Sequence, residues 1–307
     1  MSDVLLNYVL KVDILNIPPA PNTGYLRKVL AVVKPKSGVS GDIVLCQSIA
    51  DVNAVTDNQD VQYLFNAGLT NVYVLPSNDL NIVTLVSDDT RYFTILISSD
   101  FDDTDIAGLD VGNFKGVVGL YSSDTTAAAY AAVENRVGFY DTAANQAKNM
   151  FYAFGNLLNS IGWLNRQYTT LPMSSDVDTL GKADNLFDQR ISFAITSPQY
   201  GTRLGLFAVG SKAIIYPYVV ENLRVDLQGR ALQIFALNNP QYTLVEAVLL
   251  QNKLQDVINS YVENGALEEG SITITLGDNT FIANGNAVIS EPSAMWRAQV
   301  TLQVGGV

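Results

Sequence analysis

The chain has no histidine and a single cysteine, and these two shortages limit its chemistry more than any motif it carries. Without imidazole there is no Ser-His-Asp or Cys-His pair, no histidine metal ligand and no ordinary proton shuttle near neutral pH. One cysteine, Cys46, excludes an internal disulfide and any cluster of thiolate ligands. Within "DIVLCQS" it reads as a small buried residue of a strand, not as a nucleophile. Charge is also scarce: 16% of residues are charged against 48% hydrophobic. The 18 Lys and Arg are outnumbered by 30 Asp and Glu, for a net charge of −12, and form no basic cluster. Duplex nucleic acid is therefore a poor ligand, since phosphate neutralisation needs grouped cations. No apolar run approaches the roughly 18 residues of a membrane span. The first residues follow a strand pattern instead of a basic and apolar leader. The expectation is a protein that folds where it is made, without stable membrane insertion. Catalysis is the minority reading, confined to carboxylate or lysine chemistry.

What the chain does have is alternation at both ends. In "LLNYVLKVDI", Leu6, Tyr8, Leu10, Val12 and Ile14 share one face of an expected strand, with Asn7, Lys11 and Asp13 on the other. In "SAMWRAQVTLQVGGV", Trp296, Ala298, Val300, Leu302 and Val304 do the same, alternating with Arg297, Gln299, Thr301 and Gln303. Termini are where order usually fades, and a strand edge without a partner invites another chain. The two ends either close a sheet within the monomer or reach into neighbours.

Between them, "NIPPAPNTGY" is a Pro and Gly break that separates an arm from the body. The segments "LRKVLAVVK", "GDIVLCQS", "TNVYVLPS", "YFTILISS", "FKGVVGLYSS" and "RVGFYDT" read as strands. Helices are expected at "IADVNAVTDNQDVQYLFNAG", at "TTAAAYAAVEN" and along "AANQAKNMFYAFGNLLNSIGWL". That order predicts an α/β domain with a central, doubly covered sheet. In the second half a short helix carrying Leu186 and Phe187 leads into a strand. The Gly-punctuated "GTRLGLFAVGSKAIIYPYVV" is followed by a helix at "ENLRVDLQGRALQIFALNN", closed by Pro240. A T-x-x-E capping box, Thr243 and Glu246, opens the next helix, whose apolar stripe is Ala247, Leu250, Leu254, Val257, Ile258 and Tyr261. "SITITL" is a strand, and "GDNTFIANGNAVISEPSA" reads as the connection to the closing one. The expected division is residues 1–24 as arm and linker, 25–165 as the α/β domain, 166–294 as a C-terminal α+β domain and 295–307 as the last strand.

Few clusters invite chemistry. "DFDDTDIAGLD" gathers Asp100, Asp102, Asp103, Asp105 and Asp110, but an EF-hand starting at Asp100 would need Gly where Asp105 stands and Glu where Val111 stands. It reads as a solvated loop, so no metal is expected. "GLDVGNFKGVVG" matches neither phosphate-binding glycine pattern and leads into a strand instead of a helix. No catalytic residue and no cofactor is expected. Tyr218 and Tyr242 are candidates for an interface or, equally, for core and loop packing.

Taken in order, "YLFNAGLTNVYVLPS", "DTLGKADNLFDQRISFAIT", "GTRLGLFAVGSKAI", "LLQNKLQDVINSYVENGAL", "GSITITL" and "ISEPSAMWR" resemble the sheath protein of contractile phage tails and related injection machines. The resemblance runs from about residue 25 onward. It implies a C-terminal sheath core domain and subunits stacked as six-membered rings around a tail tube. It also implies baseplate and terminator proteins as further partners, and assembly in the host cytoplasm into a virion tail. Strands of the terminal arms would be donated to neighbouring subunits, and contraction would drive the tube through the target envelope without bond chemistry. The helix Thr243 to Asn264 resembles the one that faces the tube, with Lys253 and Asp256, beside Glu246 and Glu263, at its exposed positions. A different structural protein of the tail or baseplate, such as a terminator or initiator, is the alternative. A carboxylate-dependent enzyme or sugar-binding protein is the remote third.

Overall fold

The computed structural model describes residues 28–39, 41–81, 91–109, 111, 114, 116–124, 126–159, 170–199, 201–210, 212–238, 241–277 and 280–290. Its largest feature is an eight-stranded sheet built from β1 (Val29–Val33), β2 (Val44–Cys46), β3 (Val72–Pro76), β4 (Thr94–Ile97), β5 (Val117–Ser122), β6 (Arg136–Tyr140), β7 (Ser192–Ser197) and β8 (Gly201–Leu206). The strands lie in the order β2-β3-β1-β4-β5-β6-β7-β8. The six inner strands are parallel neighbours, and only the outer pairs, β2 with β3 and β7 with β8, run antiparallel.

The continuous apolar strands follow from this topology, because a parallel sheet is covered on both faces. In β1 every residue is buried: Val29, Ala31 and Val33 face one core, Leu30 and Val32 the other. The first core is filled by α1 (Ile49–Val55), α2 (Gln62–Asn66) and α5 (Lys148–Asn159), the last through Met150, Phe151, Phe154, Leu157 and Leu158. The second is covered by α3 (Asp103–Ala107) and α4 (Ala127–Ala131), through Ile106 and Tyr130. The expected α/β architecture around a central sheet is therefore present.

Three local readings change. The single helix expected over "IADVNAVTDNQDVQYLFNAG" is two, α1 and α2. Between them the chain turns at Asn58, whose side chain accepts from the N–H of Asp60, while Asp60 in turn accepts from the N–H and hydroxyl of Ser99. The long helix after the sheet, α7 (Ile215–Asn238), begins at "IYPYVV", six residues before its expected start. Pro217 is tolerated there because first-turn N–H groups have no partner inside the helix. The stretch 277–294, expected as a connection, contains β12 (Phe281–Ile289).

Strand pairing continues beyond residue 165. After α6 (Leu180–Asp188), β7 and β8 extend the main sheet, and β9 (Ala208–Val209) with β10 (Lys212–Ala213) forms a short ladder leading into α7. A third core gathers Phe193, Leu206, Ile215, Val219, Leu223, Leu227 and Ala231. It also takes in Ala247, Leu250, Leu254 and Ile258 of α8 (Leu244–Glu263) and Leu267, Ile272 and Ile274 of β11 (Leu267–Leu276). Because α7 serves the first and third cores it is buried almost all round, as a helix between layers must be.

Candidate assembly interface

The C-terminal end of the described chain is a two-stranded antiparallel ribbon, β11 with β12, lying against α8. Two strands alone are marginal in water, and here the helix supplies the missing layer. Thr243 caps α8 by accepting from the N–H of Glu246, as the sequence motif requires. Of the expected stripe, Ala247, Leu250, Leu254 and Ile258 are buried, while Val257 and Tyr261 are partly so. The opposite face of the ribbon is polar and open, with Ser271 donating to Asn286 and Thr273 to the carbonyl of Asn284. Ile282 and Val288 stand on it more than 40% exposed.

The two outer edges of the ribbon differ. Along β11 the N–H of Ile274 donates to Gln251 Oε1 at 3.0 Å and the N–H of Ile272 to Gln255 Oε1 at 3.0 Å. Gln255 also donates to the carbonyl of Gly270 at 3.0 Å. Along β12 no described residue bonds to the outward main chain of Phe281, Ala283, Gly285 or Ala287.

The N-terminal half of α8 presents a second open surface. Leu244, Val245, Val248 and Leu249 are between 50% and 75% exposed and fall at i, i+1, i+4 and i+5, one stripe of the helix. A contiguous apolar patch of this kind marks an interaction site. The charged positions expected to be exposed, Lys253 and Asp256, are neighbours on the same helix, 3.9 Å apart as an i,i+3 pair. Tyr242, just before the start of α8, is 41% exposed, its hydroxyl donating to the carbonyls of Gly277 and Thr280 in the hairpin turn. Tyr218 takes the core alternative and is fully buried. The arm positions Leu6, Tyr8, Leu10, Val12 and Ile14, and the C-terminal positions Trp296, Ala298, Val300, Leu302 and Val304, lie outside the described residues.

Of the acidic residues singled out in the sequence, Asp110 lies outside the described residues and the other four have structural work. Asp102 caps α3 in a reciprocal box with Asp105, Asp100 accepts from the N–H of Lys34, and Asp103 accepts from the Tyr130 hydroxyl at 2.5 Å. No group of three or more metal-ligating side chains converges among the described residues. Cys46 is buried, and burial pushes its thiol up to about 11, which suits an inert core residue. No helix of the described residues is long and apolar enough to cross a membrane.

No protein-family model matches the chain, and no curated protein matches it in sequence. Solved structures do. The sheath complex of an extracellular contractile injection system (PVC), in its contracted state, superposes with a TM-score of 0.68 at 14% identity, covering 96% of this chain and 97% of that one. The helical sheath of the anti-feeding prophage, also contracted, gives 0.65 at 14% identity, covering 92% and 94%. A chain of the anti-feeding prophage baseplate gives 0.64 at 11% identity, covering 96% and 98%. The protein thus has the fold of contractile-sheath subunits, matched almost from end to end.

Proposed function

We propose that the chain is a structural subunit of a contractile sheath, not an enzyme. It would polymerise as stacked six-membered rings around a tail tube and contract to drive that tube through a target envelope. The observation that carries this reading is the end-to-end likeness to sheath chains, with 96% of this chain matched to 97% of the sheath chain of the injection system. Three features support it. The histidine-free sequence suits a task without proton transfer. The ribbon offers a main-chain edge, and strand addition to such an edge is a general way of joining chains. The apolar stripe of α8, beside Lys253 and Asp256, gives the subunit a second contact surface, which we assign to the tail tube.

In this reading residues 1–24 are one connecting arm and 295–307 the other. Its partners are further copies of the chain, the tube protein, and the baseplate and terminator proteins at the two ends. The site of action is the tail of a virion or of an injection machine assembled in the host cytoplasm. The likeness to a baseplate chain is no better than that to the sheaths, so the sheath reading stands ahead of a terminator or initiator.

Electron microscopy of the purified protein tests this directly. Long hollow cylinders with six-fold end views are expected. Short closed rings at every concentration would favour the terminator reading, and a compact monomer throughout would overturn both.

A further inference from the structure

We propose that the pair Asn284–Gly285, at the centre of β12, is a modification site: the Asn284 side chain loses its amide nitrogen to attack by the Gly285 main-chain nitrogen, leaving aspartate or isoaspartate in the ribbon.

An asparagine side chain closes on the nitrogen of the next residue when three conditions hold. That nitrogen must be free to give up its proton, the next residue must not crowd the ring, and the side-chain amide must be unengaged. Asn-Gly occurs twice in the chain, at Asn264–Gly265 and Asn284–Gly285. The structure separates the two.

At Asn264, the C-cap of α8, both nitrogens are engaged. Its Nδ2 donates to the carbonyl of Ser260 at 2.7 Å, and the N–H of Gly265 donates to the carbonyl of Val262 at 2.9 Å. The N–H of Ala266 then reaches back to the carbonyl of Tyr261 at 2.9 Å, with Gly265 at a φ of 71°, so the helix end locks the pair.

At Asn284 all three conditions are met. Its side chain stands exposed on the open face of the ribbon, and no described residue bonds to its amide. Ile272 turns its N–H away from β12 to reach Gln255, so Gly285, its partner across the ribbon, also turns its main chain outward. Glycine is required there, because a Cβ at 285 would lie 2.6 Å from the carbonyl oxygen of Ser271. The tight ribbon thus demands, directly after Asn284, the one residue that leaves its nitrogen unshielded.

One restraint opposes the reaction. Asn284 is paired with Thr273, whose hydroxyl also donates to the Asn284 carbonyl at 3.2 Å, and ring closure needs Asn284 to leave its extended backbone. A two-stranded ribbon opens locally at far less than the cost of global unfolding. The rate of modification therefore reports how often the ribbon opens.

The Gly285 nitrogen gives its proton to hydroxide and bonds to Asn284 Cγ. The Cγ–Nδ2 bond breaks, and Nδ2 takes a proton from water and leaves as ammonia, which regenerates the hydroxide. Water then opens the cyclic imide. Hydrolysis at Cγ restores the ordinary main chain with aspartate at 284, whereas hydrolysis at the main-chain carbonyl carbon routes the chain through Cβ and Cγ as isoaspartate. One water is consumed, one ammonia is released and nothing is oxidised. Aspartate adds charge to a chain already at −12. Isoaspartate lengthens the main chain in the middle of β12, so the ladder cannot keep its register both at Leu276 with Phe281 and at Leu267 with Ile289. Phe281, Ala283 and Ile289, which pack from this strand on the third core, cannot then all keep their places.

Peptide mapping by mass spectrometry on the full chain, incubated as monomer in mildly alkaline buffer, tests the site, and enzymatic methylation of isoaspartate counts the rearranged product. Asn284 should convert at least about tenfold faster than Asn264, whose hydrogen bonds must break first. In denaturant the two should convert at similar rates, because only the fold distinguishes them. The N284Q variant, which would have to close a larger ring, should keep its amide. The proposal is overturned if Asn284 keeps its amide in the native chain while losing it in denaturant, or if Asn264 converts as fast as Asn284 in the native chain. The consequence for assembly rests on the proposed sheath function. Aged natural chain should lose cylinder formation in step with its isoaspartate content, while N284Q and N284S aged alongside should keep theirs; equal loss in the variants overturns that link. Failure of the fresh natural chain to form cylinders would count against the sheath reading alone, because the mapping judges the site without it.

Discussion

The hydroxyl of Tyr218, near the start of α7, lies 2.6 Å from Oγ1 of Thr94 at the start of β4, and both residues are fully buried. The Tyr218 ring also meets Phe93 edge to face, with centroids 5.2 Å apart. This side chain ties α7 to the centre of the main sheet, alongside the packing of Ile215, Val219 and Leu223 against Phe193 and Leu206. Burial raises the Tyr218 hydroxyl above its ordinary titration range, keeping it neutral. Tyr218→Phe should cost about 1 to 2 kcal/mol, because Thr94 keeps its hydroxyl and loses a buried partner. Tyr218→Ala should cost about 3 to 5 kcal/mol through the cavity as well. Chemical denaturation checks both.

Acid should stabilise this protein over part of its range. Asp141, at the end of β6, accepts from Asn145 Nδ2 and Asn149 Nδ2, both at 2.7 Å, and from the N–H of Thr142 at 2.8 Å. Burial outweighs these bonds and lifts its carboxyl to about 6, and burial also raises Asp60. Between the ordinary carboxylate pKa near 4 and about 6 the folded state therefore holds more protons than the unfolded one, so unfolding free energy falls as pH rises through that window. The drop from Asp141 alone is on the order of 2 to 3 kcal/mol. Asp141→Asn should flatten the slope between pH 4 and 6, read from denaturation midpoints across a pH series.

The parallel sheet could be read from the sequence because strands buried on both faces are uninterrupted apolar runs, as "VLAVV" and "TILI" are. The stripe and cap of α8 were legible for the same kind of reason: period and capping chemistry are local. β12 was not. "FIANGNAVI" places Asn, Gly and Asn at its centre and buries little, so what makes it a strand is pairing with β11, a relationship that composition does not encode. The start of α7 was hidden because a helix that serves two cores loses its 3.6-residue signature. Gln251 and Gln255 looked like ordinary polar positions. Only the strand beside them gives their i,i+4 spacing a meaning.

Within α7 the buried pair of Glu221 and Arg224 should behave asymmetrically. Arg224 Nε donates to Glu221 Oε2 at 3.0 Å and its Nη1 to Gln228 Oε1 at 2.5 Å, and both side chains of the ion pair are 1% exposed. Arg224→Met takes a two-point ion pair away from a buried carboxylate, so it should cost about 3 to 5 kcal/mol. The double change Glu221→Leu with Arg224→Met should cost less than the single one, since two apolar side chains bury no charge. A double-mutant cycle on unfolding free energies measures the difference.

Deleting the arms separates exchange between subunits from closure within one. If Leu6 to Ile14 serves a neighbour, removing Met1 to Asn16 should leave a body with unchanged far-ultraviolet circular dichroism that forms no cylinders. Removal of Trp296 to Val307 should act the same way if that strand is also exchanged, and should instead abolish folding if it completes its own sheet. Circular dichroism and negative-stain microscopy on the same samples distinguish these outcomes.

The apolar stripe of α8 yields the sharpest separation of folding from assembly. Leu244, Val245, Val248 and Leu249 point away from the core that Ala247, Leu250 and Leu254 fill, so charging them removes little native packing. Exposed substitutions of this kind usually change stability by no more than about 0.5 kcal/mol. Val248→Asp with Leu249→Asp should therefore keep the unfolding midpoint of the natural chain. If the stripe meets the tube, the same variant should still form empty cylinders from purified subunits but fail to sheathe a tube supplied in trans. If it meets another subunit, the cylinders themselves should be lost. Polymerisation followed by light scattering, with and without tube, reads the two cases apart, because a buried carboxylate at either interface would have to be desolvated without a partner.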